Sequence, residues 1–217
     1  TSATNIVVAY QDPKTDVSLS DDFFVVKGED HLTANYLDKT FQYSTQGFFQ
    51  NNHAMAQKMH KYVQTILEKY NTKEAMLLDL YGGVGTFGII NAHLFKEVLT
   101  VEAVEQCIVQ AKNNAKINNL TNYEALVLDA KQSEKLKQVK DKPLYVITDP
   151  PRSGMHPKTI KFLNQLKPEL IIYVSCNPTQ LIRELPHFED YELKSSALFD
   201  LFPQTPHSEA VLELKKK

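Results

Sequence analysis

The sequence predicts an α/β fold. The expected architecture is a mostly parallel sheet with antiparallel terminal strands, preceded by a small β-rich segment. Three observations carry this. From Ala75 onward, short apolar runs alternate with stretches of helical period, as in right-handed βαβ units. Several runs, Ile171 to Val174 above all, are continuously apolar, as in strands buried on both faces. After Cys176 the pattern changes to two segments of alternating apolar and polar residues, separated by a Pro/His/Thr turn.

Residues 1–46 hold short strand-like runs at 5–9 and 23–27, with acidic turns and no helical period. They read as the end of a β-rich subdomain, with a boundary near 45–47 that leaves 47–217 as the main domain. At 53–70 the helical spacing puts Met55, Met59, Tyr62, Val63, Ile66, Leu67 and Tyr70 on one face, with Asn51 or Asn52 as the cap. Strands follow at 76–83, running into a glycine turn, and at 97–105, 124–130, 143–151 and 169–178. Helical stretches at 104–119 and 157–166 separate them, and 191–203 with 208–215 form the closing antiparallel pair.

Composition narrows the classes. At 217 residues with 42% hydrophobic content, the chain can build a full core without staples. Its two cysteines, Cys107 and Cys176, exclude a disulfide framework and a cysteine-only zinc site, and no metal site is expected. They fit a reducing compartment, so the expected location is cytoplasmic. No apolar run reaches membrane-spanning length and no signal peptide opens the chain, so no membrane partner is expected. A net charge of −2 argues against a strongly basic nucleic-acid clamp within these residues. Thr1 is not an initiator methionine, and the expectation is a piece of a longer protein.

The chemistry-bearing residues gather at predicted strand ends, where α/β sheets place ligands. DLYGGVG (79–85) lies between a strand and a helix. Gly82, Gly83 and Gly85 allow a tight turn and close backbone approach to a ligand. The G-G-x-G spacing departs from the dinucleotide fingerprint. Such loops also hold S-adenosylmethionine, and Asp79 is placed to meet its amino group. Glu102 ends the second strand of the sheet, suited to a pair of ribose hydroxyls. Asp129 ends the third, open either to an adenine amino group or to a helix cap. Asp149 ends the fourth, held rigid by Pro150 and Pro151. Arg152 suits a phosphate or a base edge. Cys176 ends the fifth as a candidate nucleophile facing the same crevice as Asp149, whereas Cys107 reads as a packed core thiol. His207 and Glu209 share a face if the last strand is already extended there, and Glu209 then suits a general base.

Together these segments resemble the RNA 5-methyluridine (uracil-C5) methyltransferase family. FFQNN (48–52), DLYGGVGTF (79–87), DPPRSG (149–154), YVSCNP (173–178) and DLFPQTPHSEAV (200–211) match its motifs in order, across about 46–214. The resemblance implies a Rossmann-like class I S-adenosylmethionine-dependent methyltransferase fold, with residues 1–46 as the end of the preceding central β subdomain. It implies S-adenosyl-L-methionine as cofactor, contacted by Gln50, Tyr81, Glu102 and Asp149. The implied partner is a transfer or ribosomal RNA, with a further RNA-binding region before residue 1. Cys176 matches the family nucleophile and Glu209 the family base, with Arg152 and His207 expected to meet substrate. Gly83 stands where the family often has cysteine, a change that leaves the turn intact.

The implied chemistry is addition of the Cys176 thiolate to carbon 6 of uracil, methylation at carbon 5, and removal of the carbon-5 proton by Glu209. Arg152 or bound substrate are the candidates for favouring the thiolate. Phe48, Phe49, Phe199 and Phe202 are the aromatic residues available to stack on an unstacked base. An RNA 5-methylcytosine methyltransferase is the nearest alternative, disfavoured because DPPRSG lacks the second cysteine those enzymes usually carry. A non-catalytic RNA- or cofactor-binding module is the alternative of a different class.

Overall fold

The computed structural model describes residues 2–10, 20, 22–136, 139 and 142–217. Its centre is a seven-stranded sheet. In chain order the strands are β5 (Met76–Leu80), β6 (Glu97–Glu102), β7 (Tyr123–Val127), β8 (Leu144–Thr148), β9 (Leu170–Ser175), β10 (Tyr191–Phe199) and β11 (Glu209–Lys216). In space they run β10-β11-β9-β8-β5-β6-β7. The five strands from β5 to β9 are parallel, and β11 inserts antiparallel between β9 and β10. The chain winds from β5 outward through β6 and β7, then returns to β8 on the other side. That reversal opens a crevice at the carboxyl ends of β5 and β8.

Alternation along each strand divides the core between the two faces. Leu77, Ile147, Ile172, Val174 and Val211 face one layer, and Leu78, Leu80, Val146, Ile171, Tyr173 and Leu212 the other. Every residue of β5, β8 and β9 is buried, which is why these strands read as unbroken apolar runs. Each such Leu, Ile or Val contributes roughly 1.5–3 kcal/mol on burial.

The first layer is covered by α1 (His53–Leu67) and α2 (Thr86–Asn91). Met59, Val63, Ile66 and Leu67 of α1 are buried, and Met55, Tyr62 and Tyr70 pack at the margin of that core. Asn52 caps α1 by accepting from Met55 N at 3.2 Å. The helix ends at Leu67, short of Tyr70, whose hydroxyl donates to the buried Glu213 at 2.6 Å. The helices α3 (Glu105–Ile117), α4 (Pro157–Leu166) and α5 (Pro178–Glu184) complete the set.

The N-terminal strands form two hairpin-like pairs, β1 (Ile6–Ala9) with β2 (Phe23–Lys27) and β3 (His31–Tyr36) with β4 (Lys39–Ser44). The second pair lacks a strong alternating pattern and was not legible as strands. Composition shifts near 45–47, yet packing is continuous across it: Tyr36 and Phe41 belong to the same core as Met59, Phe87 and Leu77. Asparagines of α3 fasten this pair by imitating a strand. Asn114 accepts from Gln42 N at 2.7 Å and donates to Gln42 O at 3.0 Å. Asn118 does the same with Thr40 N at 3.0 Å and Thr40 O at 2.7 Å. Among the described residues no helix is long and apolar enough to cross a membrane.

In the glycine loop between β5 and α2, position 85 demands glycine. Gly85 has φ +86°, and a Cβ there would lie 2.3 Å from the Tyr123 hydroxyl. Gly85→Ala is expected to cost about 2 kcal/mol or more, from left-handed strain and that clash. A urea unfolding midpoint equal to that of the parent protein would show that the loop relaxes freely.

Candidate active site

A cavity of about 890 Å³ lies outside the carboxyl ends of the parallel strands, within the range of small-molecule sites. The structure brings Gln50, Tyr81, Gly83, Glu102, Asp129, Asp149, Arg152, Cys176 and Glu209 to its wall. They come from seven chain segments far apart in sequence. A second, smaller chamber of about 80 Å³ continues beneath the glycine loop, lined in part by Gly82 and sharing Gln50, Tyr81, Gly83 and Asp149 with the larger cavity.

Each side chain is set by its strand end. Glu102, the last residue of β6, accepts backbone N–H groups from Gly83 at 3.2 Å, Ala103 at 2.7 Å and Val104 at 3.0 Å. It thereby ties two loops together across the crevice. At Gly83, with φ +52°, a Cβ would meet nothing within 4 Å, so this backbone faces open space where a ligand can approach. Tyr81 is held at φ +59°, an uncommon conformation for a bulky residue, and is half-buried. Asp129 does both things left open for it: it caps the following 3₁₀ turn through Lys131 N at 2.9 Å and lines the cavity.

Other predicted residues sit elsewhere. Asp79 is fully buried under the loop and is absent from the cavity wall. Its Oδ2 accepts from Gly88 N at 3.0 Å and the Thr100 hydroxyl at 3.1 Å, so it braces the loop from behind. Gly85 likewise serves the turn rather than the wall. The last strand begins at Glu209, so His207 lies before it and the condition for a shared face is not met. His207 Nδ1 is instead 3.2 Å from Arg152 Nη2. Because the guanidinium only donates, the ring nitrogen facing it accepts. Cys107 is half-buried on the cavity wall rather than packed in the core, because the first turns of α3 run along the rim. Among the candidate stacking residues, Phe49 is buried and stacked on Tyr43 at 4.0 Å, a core role, and Phe48 is exposed on the cavity wall.

Two loops present the Cys176 thiol. Asn177 caps α5 by accepting from Gln180 N at 3.3 Å, and its amide donates to Arg152 O at 2.9 Å. The segments after β8 and β9 are thus locked together on either side of Cys176. Sequence reading missed this clamp; the Asn-Pro helix start is its only trace. The register of β11 on β9 ends with Ala210 paired to Ser175, so Glu209 and Cys176 each lie one residue beyond the last pair of the ladder.

The electrostatics are dominated by buried carboxyl groups. Burial pushes Glu209 up to about 7, and its Oε2 has no hydrogen-bond partner among the described residues. Asp149 is raised well above the usual range, first by burial and then by Glu209 and Asp79. Burial also raises Asp79 to about 7 against its two donors. The Cys176 thiol is raised by burial and by Glu209 and Asp149, with Arg152 opposing. The expected help from Arg152 therefore has the right sign and is outweighed. The unpartnered buried atoms Gln50 Oε1 and Glu209 Oε2 are acceptors, as is Asp79 Oδ1 behind the loop. This donor-poor, acceptor-rich site fits a ligand carrying positive charge and N–H or O–H groups, the character of S-adenosylmethionine.

Comparison with known proteins agrees with this construction. A family described as tRNA (uracil-5-)-methyltransferase matches residues 5–217. The chain belongs to that family. An uncharacterized RNA methyltransferase of Caldanaerobacter subterraneus is 37% identical over 213 residues, covering 97% of this chain and 46% of its own length. One from Clostridium tetani is 35% identical, covering 98% and 46%. The chain thus spans about half the length of the curated relatives it matches. Among solved structures, the Pyrococcus abyssi tRNA (uracil-54, C5)-methyltransferase in complex with S-adenosyl-L-homocysteine superposes with a TM-score of 0.80 at 33% identity, covering 97% of this chain and 50% of that one. The M. jannaschii protein TYW2 in complex with AdoMet, at 16% identity and a TM-score of 0.59, is similar in fold. The expected class I methyltransferase fold is therefore the observed one.

Membership of the family makes the state of Glu209 consequential. Its ordinary value lies near 4.5 and its folded value at about 7. A raised carboxyl holds its proton more tightly in the folded state. Stability from this group therefore falls as pH rises between those values, with the full cost present above 7 and none below 4.5. Glu209→Gln is expected to exceed the parent protein in unfolding free energy at pH 8 by on the order of 2 kcal/mol and to match it at pH 4. The same difference at both pH values in urea titrations would contradict a raised Glu209.

Proposed function

We propose that this chain is the catalytic part of an S-adenosylmethionine-dependent enzyme that methylates carbon 5 of a uridine in transfer or ribosomal RNA, through a transient cysteine–uracil adduct. The observation that carries the reading is that Glu209 and Cys176 both lie on the wall of the cavity that the glycine loop enters, each one residue past the last pair of the β9–β11 ladder, with the carboxyl group acting on the thiol.

Gln50, Tyr81, Gly83, Glu102, Asp129 and Asp149 hold the cofactor along the strand ends, with Asp79 bracing the loop behind them. When bound, S-adenosylmethionine would supply an electrophilic methyl group. The protein's own work is to activate uracil and to move protons. The Cys176 thiol gives up its proton to water and its sulfur adds to carbon 6; the 5,6 π bond breaks and its electron pair is held as an enolate over carbon 5 and the carbon-4 oxygen. Once carbon 5 carries the methyl group, Glu209 takes its remaining proton. The electron pair of that C–H bond restores the double bond and expels the thiolate. A carboxyl near 7 is matched to this task, because it can accept a proton near neutral pH and return it to water. Arg152, paired with His207 on the exposed rim, meets the RNA backbone or the base edge. The target base leaves its stack to reach the thiol, at a cost of a few kcal/mol.

Cys176→Ala is expected to abolish methyl transfer to RNA while keeping cofactor binding. Full transfer by that variant removes the nucleophile from the scheme. Glu209→Gln is expected to accumulate a protein–RNA adduct that survives denaturing electrophoresis. Prompt release of methylated RNA by it would show that another group takes the proton.

A further inference from the structure

The chamber beneath the glycine loop contains a histidine that the reaction scheme does not use. His60 lies on the apolar face of α1, 2% exposed, with its ring 4.3 Å from that of Phe87 and 5.4 Å from that of Tyr36. Burial pushes it down to about 3, so the ring is neutral and one nitrogen is free to accept. Its Nδ1 is buried without a partner among the described residues, and so is Oε1 of Gln50. Both residues line the same chamber of about 80 Å³. The backbone around them is fixed: the Tyr36 hydroxyl donates to Gln50 O at 3.0 Å and lies 3.1 Å from His53 Nδ1. Gln50 is therefore anchored through its main chain, while among the described residues no hydrogen bond sets the orientation of its amide group.

Two residues that line one small chamber each carry an orphaned polar atom, and a bridging group would complete both. A water needs only about 10–15 Å³ of such space and two or more polar partners. A water donating one hydrogen to Gln50 Oε1 and the other to His60 Nδ1 satisfies both, and leaves the Gln50 NH₂ group pointed toward the cavity. We propose that His60 is a positioning residue that orients the Gln50 side chain through water held in this chamber. The inference rests on the reading of Gln50 as a cofactor contact, and extends it to a residue that touches no ligand.

The test is calorimetric titration of S-adenosyl-L-homocysteine into the wild-type protein, His60→Phe, His60→Asn, Gln50→Ala and the His60→Phe/Gln50→Ala double variant, with thermal unfolding recorded for each. His60→Phe is expected to weaken binding about tenfold, and His60→Asn, whose amide can still engage the water, by less than about threefold. In the Gln50→Ala background His60→Phe is expected to add no further loss, since its effect runs through Gln50. Wild-type affinity in His60→Phe, or the same loss in both backgrounds, overturns the proposal. If the wild-type protein fails to bind the homocysteine, the cofactor reading itself falls. The chamber is then decided by a crystal structure of the wild-type protein: a water bonded to both His60 and Gln50 supports the bridge, and a dry chamber overturns it.

Discussion

The antiparallel insertion of β11 beside β9 is the constraint on which the site depends. A purely parallel sheet would present only carboxyl ends of strands at the crevice. β11 runs the other way, so its first residue, Glu209, arrives where β9 ends at Ser175 and Cys176 follows. A ladder register admits no intermediate setting. A slip of one residue would turn Glu209 to the opposite face and bring Ser208 or Ala210 to the thiol. The register is held by what lies further along: Val211 and Leu212 are buried in opposite core layers, and Glu213 is fastened by the Tyr70 and Ser195 hydroxyls. The apolar alternation of a closing strand thus becomes the positioning device for a carboxyl group.

That placement has an electrostatic cost that the rest of the site shares. Three carboxyl groups, Asp79, Asp149 and Glu209, lie where burial raises them; Glu209 and Asp79 act on Asp149, and Glu209 and Asp149 on the Cys176 thiol. Among the described residues no ion pair neutralises Asp79, Asp149 or Glu209. The cation nearest in effect, Arg152, is held by Asn177 at its carbonyl and by His207 at its head, on the exposed side of the thiol. A site of this kind is poised to change when positive charge enters it. On the proposed reading, a cationic cofactor lowers all three carboxyl groups at once and makes the acceptor form of Glu209 available when it is needed.

The sheet was legible in the sequence because burial on both faces writes itself as continuous apolar runs at 76–80, 144–148 and 170–175, and because glycine and proline mark where such runs stop. The helices α1 and α4 were legible from one-sided apolar spacing, α4 at its observed bounds. The β3–β4 pair was not, because its fastening is done by side-chain amides of α3, and an asparagine that imitates a strand leaves no periodic trace. Candidate residues at strand ends were legible because α/β topology says where to look, and the structure brings Asp149, Cys176 and Glu209 to one cavity. Asp79 shows where the logic stops. A carboxyl at a strand end can face the ligand or face the loop that holds the ligand, and alternation alone does not choose. Here Gly88 N–H and the Thr100 hydroxyl, supplied by α2 and β6, draw it to the loop.

The same distinction applies to a polar group set inside an apolar helix face. His60 falls among Ala56, Met59, Val63 and Leu67, and helical spacing by itself assigns it to the core. A core histidine that was merely tolerated would find a backbone carbonyl or a hydroxyl. This one leaves Nδ1 unpartnered among the described residues, and Gln50, which lines the same chamber, leaves Oε1 unpartnered. An unsatisfied buried group costs roughly 1–3 kcal/mol, and two of them in one chamber are retained only where something completes them. Asp79 and His60 are thus two answers to one problem. A group that meets the ligand needs support from behind: a carboxyl group on the sheet braces the glycine loop, and on the proposed reading an imidazole on α1 orients Gln50.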